Sequence, residues 1–104
     1  MQEPTYFTLA ALLEGPLHGY AIIARARELS DGQVRLTAGT LYGALDRLSG
    51  EGLVEATGQE IVDGRARRYY RLTGAGREAL EAEARRLAQA AAVVGRRVAL
   101  REAH

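Results

Sequence analysis

The chain has no cysteine and no tryptophan, and all of its basic residues are arginine, with no lysine. Without cysteine there can be no disulfide frame, no thiolate nucleophile and no cysteine metal site. The two histidines, His18 and His104, stand far apart in sequence. They read as a turn residue and a chain end, so neither a metal nor a cofactor is expected. No apolar run approaches the roughly 20 residues of a membrane helix, and no secretory leader pattern opens the chain; a cytoplasmic location is the expectation. There is no HExxH, no phosphate-binding loop and no serine, histidine and acid set that points to a shared cleft. Gly74-Ala75-Gly76 is a lone Gly-X-Gly, too weak for a nucleotide site. No enzyme is expected.

At 104 residues the chain suits one compact domain, small enough that part of its stability can come from dimerisation. The net charge of +1 hides a division: residues 1–64 carry four arginines and nine acids, residues 65–104 ten arginines and four acids. Base composition of the genome explains the choice of arginine over lysine. Arginine nonetheless brings a planar fork that matches phosphate and guanine.

Tyr6, Leu9, Leu12 and Leu13 have helical spacing and predict a first helix over Thr5 to Glu14, ended by Gly15-Pro16. Ile22, Ile23, Ala26 and Leu29 predict a second over Gly19 to Ser30, stopped by Asp31-Gly32. Gln33 to Leu36 reads as a short link or a one-rung strand. Thr37 is a good N-cap for a third helix reaching about Gly50, with Leu41, Leu45 and Leu48 as its apolar stripe. Leu53 to Thr57 and Ala66 to Leu72 read as strands, with a polar turn from Gly58 to Gly64 between them. Thr73 caps a long last helix whose first turn is weakened by Gly74 and Gly76. The expected fold is mainly α with a small β-hairpin: a winged helix-turn-helix plus a long C-terminal helix. Its expected division is 1–73 as a DNA-binding domain and 74–104 as a dimerisation helix.

With the leucine stripe of the third helix turned inward, Thr40, Gly43, Ala44 and Arg47 fall on the other side. Gly39 and Gly43 allow another backbone to come close. Thr37 and Thr40 can donate to phosphates beside the helix N-terminus, and Tyr42 can do the same or pack under the wing. The plain alternative is a core helix with a solvated outer face. The hairpin favours nucleic acid: Arg65, Arg67, Arg68 and Arg71 fall within seven residues that hold no acid. Strand alternation puts Arg65 and Arg67 on one face and Arg68 on the other. Glu55, Glu60 and Asp63 are near enough to pair with some of them, though surface pairs are weak. Tyr69-Tyr70 reads as core and edge packing.

In the last helix, Leu80, Ala84, Leu87, Ala91, Val94 and Val98 repeat at intervals of four and three, an a/d seam interrupted by Gly95. A helix of about 30 residues runs roughly 45 Å, longer than a small winged helix, so part of it should meet a partner. The seam is expected to be buried between two chains.

The strings Leu13-Glu-Gly-Pro-Leu-His-Gly-Tyr-Ala-Ile22, Gly39-Thr-Leu-Tyr42, Leu45-Asp-Arg-Leu48, Gly52-Leu-Val54, Gly64-Arg-Ala-Arg-Arg-Tyr-Tyr-Arg-Leu-Thr73 and Gly76-Arg77 resemble the PadR family of bacterial transcriptional regulators, in family order over nearly the whole chain. The resemblance implies a homodimeric winged-helix repressor of the compact branch. Its third helix reads the major groove of double-stranded DNA, its wing touches backbone or minor groove, and its C-terminal helix makes the dimer. Carried over by position, it implies DNA contacts from Gly39, Thr40 and Tyr42 of the signature and from Arg65, Arg67 and Arg68 of the wing, with Tyr20 packing between the first helices; the pattern of the third helix itself adds Thr37, Gly43 and Arg47 as expected contacts. Gly43 departs from the pattern, since many relatives carry proline there. Some compact relatives stack flat drugs on an aromatic of the C-terminal helix, but residues 71–104 hold no Phe, Tyr or Trp. If a small-molecule effector exists, it should sit near the dimer centre beside Tyr6 or Phe7. The alternative is a winged-helix dimer that docks on a protein through its third helix without binding DNA.

Overall fold

The computed structural model describes residues 1–103; His104 lies outside the described residues. The elements run α1 (Glu3–Ala11), β1 (Leu17–His18), α2 (Gly19–Leu29), α3 (Ala38–Gly50), β2 (Val54–Val62), β3 (Arg65–Leu72) and α4 (Gly74–Glu102). This is the expected winged-helix order with a long last helix.

Helix α1 starts two residues before the expected Thr5, because Pro4 tolerates the first turn, where no N–H is needed. It ends before Glu14: Leu12, Leu13 and Gly15 donate to the carbonyls three residues back, so the last turn tightens before Gly15. Helices α2 and α3 both close in Schellman motifs. After α2, Gly32 N–H reaches the Arg27 carbonyl at 2.8 Å and Asp31 takes the left-handed conformation at φ 52°. After α3, Leu53 N–H reaches the Leu48 carbonyl at 2.9 Å and Gly52 has φ 75°. Ser30 then carries the chain onward: it accepts from Val34 N–H at 2.9 Å while donating to the Arg27 carbonyl.

Two expectations about strands are corrected. Gln33–Leu36 forms no strand; the third strand of the sheet is Leu17–His18, paired antiparallel with Tyr70 and Tyr69. The hairpin turn is also much shorter than Gly58–Gly64. Strand β2 continues through Val62, with a bulge between Ala56 and Gly58, and the turn is Asp63-Gly64 alone. Both turn residues have positive φ, 52° and 76°, as the two-residue type I′ turn demands. The sheet order is β1-β3-β2.

The core joins Leu9 of α1 and Leu12 just after it, Ile22 and Ala26 of α2, and Leu41, Leu45 and Leu48 of α3 to Val54, Tyr70 and Leu80. The start of α4 is fixed to this body. The Thr73 hydroxyl donates to the Gly52 carbonyl at 2.6 Å and accepts from Gly76 N–H at 3.0 Å. Gly76 is packed against the Leu53 carbonyl with no space for a Cβ. The glycine that weakens the helix by propensity is thus required by packing. Among the described residues, no helix is long and apolar enough to cross a membrane.

Candidate nucleic-acid interface

Helix α3 presents its N-terminus at the surface. Thr37 Oγ1 accepts from Thr40 N–H at 3.2 Å and donates to Thr40 Oγ1 at 2.9 Å. Thr37 therefore spends its hydroxyl on the cap, while the Thr40 hydroxyl keeps its own proton for an outside acceptor. Gly39 and Gly43 face open space: beyond the neighbouring backbone of their own helix, nothing lies within 4 Å of where a Cβ would stand. Tyr42 is 41% exposed, and its ring lies against Gly19, leaving no space for a side chain there. That contact binds α3 to the first turn of α2. Arg47 sits at the other end of the helix and is already engaged: it donates to Thr5 Oγ1 at 2.8 Å and lies 3.9 Å from Glu51.

On the wing, Glu55 and Glu60 are committed within the sheet, while Asp63 stands in the turn. Glu55 lies opposite Arg71 in the ladder and accepts from its Nε at 2.6 Å. Glu60 accepts the Tyr69 hydroxyl at 2.8 Å. That bond holds the Tyr69 phenol above its ordinary pKa; burial adds to the effect and Arg67 opposes it. Arg65, Arg67 and Arg68 form no ion pair among the described residues.

These pieces enclose two adjoining clefts. One, of about 550 Å³, lies between His18, Gly19, Tyr20 and Tyr42 on one wall and Arg65, Arg67 and Arg68 on the other. The second, of about 410 Å³, runs between Tyr42 and Asp46 of α3 and Gln59, Arg68 and Tyr70 of the wing. Alternation along β3 puts Arg68 on the same side as buried Tyr70, so it faces α3 from beyond the core. The third helix and the basic hairpin thus flank one surface.

The sequence profile of the PadR-like family of transcriptional regulators matches residues 8–82, a span running from α1 through the wing into α4. The chain belongs to this family. It is 49% identical over 65 residues to the transcriptional regulator Rv3488 of Mycobacterium tuberculosis, covering 62% of this chain and 60% of that protein. It is 48% identical over 81 residues to an uncharacterized 37.1 kDa protein of transposon TN4556 from Streptomyces fradiae, covering 78% of this chain but 22% of that one. The matches therefore span less than two thirds of these relatives' own lengths. Among solved structures, a transcriptional regulator from Clostridium thermocellum superposes with a TM-score of 0.73 at 25% identity, over 88% of this chain and 89% of the other. Bacillus subtilis PadR, solved in complex with operator DNA, superposes with a TM-score of 0.67 at 25% identity, over 77% of this chain and 45% of that one.

Within this PadR-like chain the remaining site residues fall as follows. Leu80 is corrected: at 4% exposure it belongs to the core of its own chain and has no surface to give a second one. Ala84 is half-buried, and every residue from Arg85 to Ala103 is exposed, including Leu87, Ala91, Val94 and Val98. Tyr6 and Phe7 pack edge to face, ring centres 5.3 Å apart, and border a hollow of about 180 Å³ with Glu83 and Leu87. Tyr20 is also corrected: it does not pack between helices but is 67% exposed in the cleft facing the wing. A tyrosine in the first turn of a helix gives no periodic signal of its direction, and the β1–β3 pairing that sets the wing beside it is not local.

Proposed function

We propose that the chain is a homodimeric repressor that holds a two-fold operator with α3 in the major groove and the wing on the backbone. The observation that carries this reading is the unpaired state of Arg65, Arg67 and Arg68 on the same surface as the open N-terminal face of α3. Cations without partners, beside helix amides and a free threonine hydroxyl, suit a chain of phosphates. That Bacillus subtilis PadR, a structural neighbour, was solved in complex with operator DNA supports DNA as the partner. Base choice falls to Thr40, Tyr42 and the bare backbone at Gly39 and Gly43; Thr37 acts as the cap behind them. Arg47 contributes by leaving Thr5 for a phosphate.

Residues 1–73 form the DNA-binding unit in this proposal and α4, Gly74–Glu102, the dimerisation helix. Helix α4 has 29 residues, about 43 Å at 1.5 Å per residue, and it is exposed from Arg85 onward. Leu87, Val94 and Val98 on that stretch need cover, and a second copy of the same seam supplies it. The two α3 helices then fall on one side of the dimer, and the operator is an imperfect palindrome with half-sites about 34–36 Å apart or a multiple of that. An effector, where one acts, occupies the hollow beside Tyr6 and Phe7.

The test is binding to the DNA upstream of its own coding sequence across a salt series, with a reporter on the same promoter. Salt-sensitive, sequence-dependent binding that lowers reporter output is expected. A dimer with no DNA affinity at low salt contradicts the proposal and favours docking on a protein.

A further inference from the structure

The cleft between the first turn of α2 and the wing has a composition that the recognition helix alone does not explain. One wall carries Tyr20 and Tyr42, whose hydroxyls have no hydrogen-bond partner among the described residues. The facing wall carries Arg67 and Arg68, which form no ion pair. Helix α2 begins at Gly19 with His18 as N-cap, and the His18 side chain makes no capping bond, so the first amides of that helix add to the donors. Asp63, in the hairpin turn, is the acid on the rim. The nearest acid along the sheet, Glu60, is occupied by the Tyr69 hydroxyl. A space with cations and neutral donors on opposite walls, and little to accept a hydrogen bond, suits an anion with several acceptor oxygens.

We infer that this cleft is a phosphate seat, in which Tyr20 and Tyr42 donate to the non-bridging oxygens of one backbone phosphodiester while Arg68, on the side of β3 that faces α3, neutralises it from the wing. The inference rests on the DNA-binding reading and adds α2 to the contacts. Gly19 leaves space for this: a Cβ there would meet the Tyr42 hydroxyl and ring edge, so the bare glycine lets the Tyr42 hydroxyl lie against the first turn of α2, which carries Tyr20. Tyr20 and Tyr42 position the backbone and read no base, because a phosphate carries no sequence information.

The experiment is Tyr20→Phe in the full chain, measured by fluorescence anisotropy on its own upstream duplex and on a mixed-sequence duplex across a salt series. Thermal melting of the variant controls for folding, and an exposed hydroxyl should leave it unchanged. The expected result is binding weaker by roughly 5-fold per subunit, the size of one neutral hydrogen bond, equally on both duplexes. The salt slope should stay as in the wild type, because no charge is removed. Wild-type affinity in Tyr20→Phe, while Arg67→Ala/Arg68→Ala weakens binding, would overturn the seat and leave DNA binding standing. Absence of DNA binding by the wild type would overturn both. Inorganic phosphate provides the second arm, at ionic strength matched with chloride. If it binds the wild type but not Tyr20→Phe, and leaves the bound duplex in place, the occupant is the free anion, and the assignment to the DNA backbone fails.

Discussion

Gly76 and Gly43 both lie inside helices, and they are tolerated for opposite reasons. Gly76 is buried with the Leu53 carbonyl where a Cβ would go, so Gly76→Ala must push α4 away from the body. A loss of about 1–3 kcal/mol, the usual cost of overpacking, is expected in a denaturant melt. Gly43 has nothing around it, and helical propensity alone favours alanine there by about 1 kcal/mol. Gly43→Ala should therefore raise the melting midpoint yet weaken operator binding, since the added methyl stands on the face that approaches the bases. A variant gaining both stability and affinity would remove Gly43 from the DNA surface. The residue scale also shows what the sequence makes legible. The Thr37 and Thr73 caps are readable because their partners are three residues away. Gly76 and Tyr20 are not, because what decides them is more than twenty residues distant along the chain.

Among the elements, the helices with strong leucine periodicity lie close to their expected bounds, α3 within a residue. The wing is the instructive departure. Asp63-Gly64 is a two-residue type I′ signal, but polar Gly58-Gln59-Glu60 before it obscures the strand, whose outer half is exposed and carries no apolar alternation. Strand β1 is too short for any periodicity; it exists because Leu17 and His18 lie against Tyr70 and Tyr69. Helix α4 is legible in length but only partly in role, since an a/d repeat cannot say which of its turns meets the chain's own core. Leu80 does; Leu87 and Val94 stay exposed. Leu87→Asp with Val94→Asp should therefore leave the fold of the body intact, with near wild-type helical content by circular dichroism, and shift sedimentation from dimer to monomer. An unchanged dimer would move the interface off this seam.

On the scale of the whole molecule, the division of charge has a physical outcome. Most acids of the first 64 residues lie on the helical body or pair within the sheet, as Glu14 does on the body with Arg25 and Glu55 in the sheet with Arg71; Asp63 is the exception, in the hairpin turn. Arg65, Arg67 and Arg68 of the hairpin are left free to set the field over the surface beside α3. Such a surface should draw its affinity mainly from phosphate contacts and its discrimination from α3. The most direct measurement is the salt dependence of binding to the chain's own upstream DNA, for the wild type and for Arg67→Ala/Arg68→Ala. The double change removes four cations per dimer, so the slope of log K against log salt should fall by roughly 3–4, at about 0.9 per phosphate contact, with sequence preference retained. If affinity and slope are both untouched, the wing is not a DNA contact, and docking on a protein takes the place of DNA recognition.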